Sequence, residues 1–468
     1  MHGRHTKIVA TLGPSTDPPG RLDQMIAAGL DCARLNCSHG TADDLRRRAR
    51  EVREAAERAG RPIGLLFDLQ GPKLRLSADT ATRALAVDET VVFCGDRTRS
   101  GDRVVVDFAN FAGLVTERSE IVIGDGVPRL SVDSVHEGDV VARVRSAGPL
   151  SARKGINVTW ARPELPAITD KDVDDLALAA ELEADFVALS FVRSAADLEQ
   201  LRARLLGHGS QARIVAKIEK VEAYEQLDGI IEVTDGVMVA RGDYGVEAGV
   251  AHVPLMQKDT IYRATQAGKL VITATQMLES MIQSPEPTRA EAADVANAVI
   301  DGTSAVMLSA ETSVGTYPVE AVRAMAAIAK AAEQAPEIHG RARTSDGESA
   351  AAAVMHAAVE LADEVDAAAL IVPTSTGGAA RACAKYRRRR PIIALAYDQR
   401  AANQLTLEWG IHPAAVRVAD TVDEMIDGAL VAARETAGLP SGARVIVTAG
   451  RQTGTPGGTN LIMVREIP

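Results

Sequence analysis

Eight short apolar runs, each followed by a polar or Ala-rich stretch, constrain this chain more than any other feature. The runs read as strands over Lys7–Thr11, Cys32–Asn36, Ile63–Asp68, Phe186–Ser190, Ile214–Ile218, Gly236–Ala240, Leu270–Thr273 and Ser304–Leu308. Helical patterns lie between them, as at Asp43–Arg58, Asp172–Glu183, Ala195–Leu205, Pro254–Ala267 and Ala290–Val299. Parallel strands need a helical crossover, and eight β/α repeats predict a closed parallel barrel wrapped by helices. Two breaks in the rhythm set the domains. Residues 73–166 are rich in Val, Gly and Asp with little helical period, and predict an all-β insertion that closes as a small β-barrel. A polar linker, RARTSDGES, follows Gly340, and LIVPTST, PIIALAY, AAVRV and RVIVTAG then alternate with helices. The expected architecture is therefore α/β: a discontinuous eight-stranded parallel barrel over 1–72 and 167–340, the β-rich lid over 73–166, and a C-terminal α/β domain with an open parallel sheet over 341–468.

A chain of 468 residues is too long for one ordinary core, which agrees with three domains. Its formal charge of −11 excludes general nucleic-acid binding, because phosphate backbones reward the opposite sign. Cys32, Cys37, Cys94 and Cys383 show no metal-ligand spacing and read as free thiols in a reducing compartment. No apolar stretch reaches membrane-spanning length and MHGRHTKIVAT lacks the pattern of a secretory signal, so a cytoplasmic location is expected.

The strand ends carry the chemistry. The run Ile63–Phe67 stops at Asp68 and turns through Gly71-Pro72 into Lys73 and Arg75. Val215-Ala216-Lys217-Ile218-Glu219 puts Lys217 and Glu219 on one face of a strand, since side chains alternate with period two. Ala240-Arg241-Gly242-Asp243 adds a second carboxylate one strand later. Two carboxylates with a lysine between them suit a hard divalent cation beside anionic charge. Arg34, Asn36 and Ser38 alternate along ARLNCSHG: the guanidinium suits a phosphate and the oxygens suit a monovalent cation. His39 reads equally as a hydrogen-bonded structural histidine or a nucleotide contact. Thr275, Ser309 and Glu311 end two further strands; they could form a hydroxyl relay for a proton or serve as ordinary helix caps, and capping is the reading for Thr312. Lys171 reads on its own as a solvated charge at a helix start capped by Thr169 or Asp170. The run Arg387–Arg390 reads as a solvated helix end, with an effector-phosphate patch as the lesser alternative.

Taken together, TKIVATLGPS at Thr6–Ser15, Arg34–Gly40, Asp68–Arg75, KGIN at Lys154–Asn157, Lys217–Glu219, VARGD at Val239–Asp243, ATQMLESM at Ala274–Met281, PTRAEAADVAN at Pro287–Asn297, Leu308–Thr312 and GGTN at Gly457–Asn460 resemble the pyruvate kinases in order and spacing. The resemblance implies phosphoryl transfer from phosphoenolpyruvate to ADP, giving ATP and pyruvate, with Mg²⁺ or Mn²⁺ held by Glu219 and Asp243. It implies that Lys217 stabilises the transferring phosphoryl group and the enolate, and that Arg34 contacts phosphate. The amides at Gly242 and Asp243 would receive the substrate carboxylate, with Thr275 orienting the substrate near the proton's route, and Ser309 and Glu311 beside it. Arg75, His39, Lys171 and Asn36 match nucleotide-side positions. A homotetramer and a phosphorylated small-molecule effector are expected on the same ground.

Several positions depart from the family pattern. Cys37 stands where Phe is usual, Val158-Thr159-Trp160 replaces Leu-Pro-Gly, and Tyr244 and Ala248-Gly249-Val250 differ after the metal turn. The loop Thr374–Arg381, TSTGGAAR, lacks the pattern that cradles a sugar bisphosphate. Members that require K⁺ carry Glu after Gly-Pro, whereas this chain has Lys73. Asn36, Ser38, Asp68 and Leu69 would form the monovalent site, with the Lys73 ammonium as its substitute, so a K⁺ requirement is not expected. A barrel lyase or aldolase acting on pyruvate also holds Mg²⁺ through Glu and Asp, but would lack the lid and Lys171. A non-catalytic binding homologue is disfavoured by Lys217, Glu219, Asp243 and Thr275.

Overall fold

The strands of the barrel, β1 to β8, span Lys7–Thr11, Cys32–Asn36, Gly64–Asp68, Phe186–Leu189, Arg213–Ile218, Gly236–Ala240, Leu270–Ala274 and Ala305–Leu308 in a computed structural model. It describes residues 3–99, 101–124, 126–159, 165–335, 350–450 and 458–468; the linker after Gly340, Trp160 and Gly457 lie outside them. All eight strands pair in parallel and β8 closes on β1. They are buried along nearly their whole length, so they read as continuous apolar runs rather than alternating ones. The helices between them start where the sequence supplies caps. Thr41 with Asp44, Thr169 with Asp172 and Thr288 with Glu291 form capping boxes at helices Ala42–Ala59, Asp170–Glu181 and Arg289–Asp301.

Period-two alternation fixes what the barrel mouth contains. The interior is filled by Cys32, Leu66, Ala188 and Val215, among others. Two residues further along each strand, on the same face, stand Arg34, Asp68, Ser190 and Lys217. The phase that packs the core therefore also points these polar groups into the C-terminal opening.

The lid joins six strands in the order Ile156–Val158, Glu120–Ile123, Arg129–His136, Asp139–Ser146, Thr90–Cys94 and Val104–Val105. The segment Leu74–Ser77 bridges its two edges. Ile156 N–H donates to the Leu74 carbonyl at 3.0 Å and Leu76 N–H to Lys154 at 2.9 Å; on the other side, Asp107 N–H donates to Arg75 at 2.8 Å and Ser77 N–H to Val105 at 2.9 Å. The sheet is thus closed around its own core of Phe93, Phe111, Ile121 and Leu130.

The C-terminal sheet runs Ile411–Ala415, Ile392–Ala396, Ala369–Thr374, Arg444–Gly450, Thr459–Glu466. Its last strand is antiparallel, where a wholly parallel sheet was expected. The edge strand lies at Ile411–Ala415 rather than over AAVRV, because an edge tolerates Pro413. This domain plugs the barrel floor: Leu407 belongs to the interior cluster, and a Cβ on Gly64 would sit 2.4 Å from Thr406 Oγ1, so only glycine admits that approach.

The arginine run is not a solvated helix end. Arg387 is buried under the barrel, donating to the Thr303 carbonyl and Ser304 Oγ at 3.3 Å each and lying 5.2 Å from the Trp409 ring. Arg388 pairs with Glu360, and Arg390 with Asp363 and Asp366. A local charge run cannot show which acidic helix will face it.

Candidate active site

At the barrel mouth a chain of alternating charges crosses four strand ends. Arg34 donates through Nε to Asp68 Oδ2 at 2.7 Å and through NH1 to Thr11 Oγ1 at 2.8 Å. Lys217 Nζ lies 3.2 Å from Asp68 Oδ1 and 3.0 Å from Glu219 Oε1, and donates to Ser190 Oγ at 2.7 Å. Ser190, which the sequence marks only as a strand end, donates its own hydroxyl hydrogen bond to the Leu69 carbonyl at 2.6 Å. Glu219 Oε2 accepts the Phe191 N–H at 2.7 Å. Gly71 adopts φ 67° beside Ser190, where a Cβ would approach the Ser190 backbone oxygen to 3.0 Å; this keeps the turn after β3 tight.

Burial and charge act in opposition here. Burial alone would lower the Lys217 pKa, but Asp68 and then Glu219 outweigh it and hold the ammonium above its ordinary value. Asp68 is pulled below its ordinary value: burial opposes ionisation, yet Lys217 and Arg34 outweigh it. Glu219 is pushed up, by burial first, with Lys217 opposing and the Asp243 charge adding repulsion. The Asp243 carboxylate has no partner among the described residues. A buried carboxylate facing a second, unpartnered one in a lysine's field leaves one negative charge uncompensated, which fits a hard divalent ion held by Glu219 and Asp243.

Asp243 and Gly242 open the helix Arg241–Ala248, directly after β6. Gly242 N–H donates to Thr275 Oγ1 at 2.8 Å, and Thr275 Oγ1 donates to the Ala274 carbonyl at 2.6 Å. Thr275 and Gln276 hold φ of 68° and 52°, left-handed values uncommon for non-glycine residues. Arg241 fixes that turn, donating to the Thr275 carbonyl at 2.7 Å and the Gln276 carbonyl at 3.0 Å, and pairing with Asp294 at 2.5 Å. In the sequence, the one signal of this role is Arg241's place inside VARGD.

Ser309 and Glu311 line the same cleft, but Glu311 accepts the Leu278 N–H at 3.1 Å through one oxygen and the Ser309 N–H at 2.7 Å through the other. The carboxylate thus fixes two loops, and the three-residue hydroxyl relay is not present as a hydrogen-bonded chain. Thr312 is no cap either: its hydroxyl donates to the Thr11 carbonyl at 2.9 Å.

On the other side, register pairs Asn36 with Asp68. Asn36 Oδ1 accepts the Ser38 N–H at 3.1 Å, and the Leu69 carbonyl is already taken by Ser190. Lys171 is no free solvated charge: Nζ reaches the Cys37 carbonyl at 2.7 Å and Asp175 at 2.6 Å. Exposed His39 has its pKa lowered by partial burial, then by Arg75, Arg34 and Lys73. Lys73 itself departs from expectation. It is exposed, its stem lies against Gly155 and it makes no contact with Asp68, whose two oxygens Arg34 and Lys217 already occupy.

Between mouth and lid lies a cavity of about 1320 Å³. Lys73, Arg75, Lys154, Arg193 and Lys220 line it, so a protein of charge −11 presents a cationic cleft. Two family descriptions match the chain, "Pyruvate kinase, barrel domain" over residues 3–322 and "Pyruvate kinase, alpha/beta domain" over 352–465. The chain belongs to the pyruvate kinase family. A pyruvate kinase of Geobacillus stearothermophilus is 40% identical over 99% of this chain and 80% of its own length. Those of Mycobacterium tuberculosis and Mycobacterium intracellulare are each 40% identical over 99% of this chain and 98% of theirs. As in other pyruvate kinases, the activity class is phosphotransferase. No described helix is long and apolar enough to cross a membrane.

Proposed function

We propose that the protein transfers the phosphoryl group of phosphoenolpyruvate to ADP, giving ATP and pyruvate. The observation that carries this reading is the charge chain Arg34–Asp68–Lys217–Glu219 ending beside the unpartnered Asp243. Phosphoryl transfer asks mostly for positioning and compensation of moving charge. Lys217, kept protonated by Asp68 and Glu219, faces the transferring group and then the enolate oxygen. Arg34, locked by Asp68 and Thr11, holds a phosphate oxygen. The Gly242 amide, taken here by Thr275 Oγ1, turns to the substrate carboxylate, and Thr275 lies where a proton reaches the enolate carbon. Mg²⁺ or Mn²⁺, when bound by Glu219 and Asp243, supplies Lewis-acid stabilisation of substrate oxygens. Arg75, His39, Lys171 and Asn36 form the nucleotide side, and the lid excludes water that would otherwise accept the phosphoryl group.

A coupled assay tests this: pyruvate should form only with phosphoenolpyruvate, ADP and a divalent cation together. Pyruvate release from phosphoenolpyruvate without ADP would mean that water, not ADP, accepts the phosphoryl group, and would refute the reading. A homotetramer and independence from K⁺ belong to the same proposal. In the loop Thr374–Arg381, Gly377 N–H donates to Thr374 Oγ1 at 3.0 Å and Arg381 to the Thr376 carbonyl at 2.9 Å. A loop whose arginine is turned onto its own Thr376 carbonyl supports weak or absent activation by fructose 1,6-bisphosphate, leaving a phosphorylated nucleotide or sugar monophosphate as effector. A large fall in half-saturating phosphoenolpyruvate on adding the bisphosphate would refute this.

A further inference from the structure

Glu247 stands one helical turn after Asp243 in the helix Arg241–Ala248, and residues four apart share a helix face. Its side chain is only 2% exposed. Asn157 Nδ2, from the lid, donates to Glu247 Oε2 at 2.6 Å. Lys220 Nζ lies 3.5 Å from both of its oxygens, and Lys220 directly follows Glu219 in the chain. The carbonyl of the preceding Val246 accepts NH2 of the lid's Arg129 at 3.0 Å. One buried carboxylate therefore ties three parts together: the lid, the end of β5 that carries Glu219, and the helix that carries Asp243. Burial pushes its carboxyl up, with Lys220 and Asn157 opposing and Glu222 adding repulsion.

We propose that Glu247 is a positioning residue, which sets the separation of the two metal-binding carboxylates through Lys220 and latches the lid over them through Asn157. The inference rests on the reading that Glu219 and Asp243 hold the divalent ion. Partners just outside a metal's ligands orient those ligands, and their loss typically weakens metal binding by about 10- to 100-fold.

The test is a Mn²⁺ titration followed by electron paramagnetic resonance of the free ion, which needs no turnover, together with steady-state kinetics. Glu247→Ala should weaken Mn²⁺ binding by at least about tenfold and lower kcat/KM by about a hundredfold. Glu247→Gln keeps an acceptor for Asn157 but loses the charge facing Lys220, and should weaken Mn²⁺ binding by about threefold. Asn157→Ala cuts only the lid contact: Mn²⁺ affinity should stay within about twofold while kcat/KM falls about tenfold. Unchanged Mn²⁺ affinity in Glu247→Ala, or effects of Asn157→Ala and Glu247→Ala on kcat/KM that simply multiply in the double variant, would overturn the inference. Should Glu247→Ala fail to fold, unchanged Mn²⁺ affinity in Glu247→Gln overturns it equally. If the unmodified protein makes no pyruvate, the proposed activity falls, and the Mn²⁺ titration still judges Glu247.

Discussion

The two ends of the barrel carry buried charge clusters of opposite balance. At the mouth two cations, Arg34 and Lys217, face three carboxylates, Asp68, Glu219 and Asp243. At the floor three cations, Arg4, Lys7 and Arg61, face two, Asp31 and Glu333. At the floor, backbone groups take up both carboxylates and the lysine. Asp31 accepts the Ile8 N–H at 2.9 Å, Glu333 accepts the His5 N–H at 2.9 Å and the Thr6 N–H at 2.6 Å, and Lys7 Nζ donates to the Ile411 carbonyl at 2.6 Å. Its surplus positive charge weighs on Lys7, whose pKa burial lowers, with Arg4 and Arg61 adding repulsion. The mouth keeps its surplus on Asp243, in the open cleft. Both clusters carry one surplus charge, but the floor seals its own inside the fold, whereas the mouth leaves its own facing a cleft where a ligand can meet it.

The sharpest way to break this contrast is to cut both clusters. Asp31→Asn leaves Arg4 and Arg61 without their carboxylate in the floor, and should cost about 3–5 kcal/mol of stability by urea unfolding while kcat of the folded fraction is unchanged. At the mouth, Asp243→Asn should lower turnover by at least about a hundredfold with little loss of stability, whereas Lys217→Met should lower turnover at least as far and also cost stability, because it strands Asp68 and Glu219. If the floor variant lost turnover instead, the division between the two ends would be wrong.

Titration sharpens the contrast further. Burial lowers the Lys7 pKa from 10.5 to about 8, so the unfolded chain holds this proton more tightly than the folded one. Stability from this group therefore rises with pH between those values and is lost as pH falls through them. From about pH 7.5 to about pH 9 the unmodified protein should gain about 1 kcal/mol relative to Lys7→Met, read as the difference between their urea curves. Parallel curves would show that Lys7 does not titrate as described.

The smallest effect is expected at Lys73. The unmodified protein should keep most of its activity with Na⁺ or a bulky organic cation in place of K⁺, and Lys73→Glu should acquire a K⁺ requirement of a few-fold. An exposed ammonium acts on the site only through screened, longer-range charge. Strict K⁺ dependence of the unmodified protein would sink this idea.

Much of this arrangement was legible in the sequence because it is periodic. All eight barrel strands lie within one residue of their expected ends, and the alternation that buries Leu66 and Val215 also points Asp68 and Lys217 into the mouth. What escaped were contacts made across the fold. Glu311 looked like a relay member because spacing cannot show that two backbone amides occupy its carboxylate. Lys73 looked adjacent to Asp68 because it follows closely in sequence, yet the chain has already turned toward the lid. Glu247 and the floor charges gave no signal, since their partners lie on other elements: Asn157 ninety residues away, and Ile411 beyond the linker.

The hydrogen bonds that close the lid at Leu74–Ser77 also bear on how such a chain could be assembled from pieces. The strand entering the insertion and the strand leaving it lie side by side, with Arg75 paired to Gly155. Seen from β3 and the helix that leads to β4, the whole insertion therefore has the footprint of a hairpin. A module whose two ends already touch can be exchanged, lengthened or removed without asking the eight strands beneath it to change register. The barrel's strand register is thereby insulated from changes in the lid, while the lid residues that face the cleft, Arg75 and Asn157 among them, stay bound to the site.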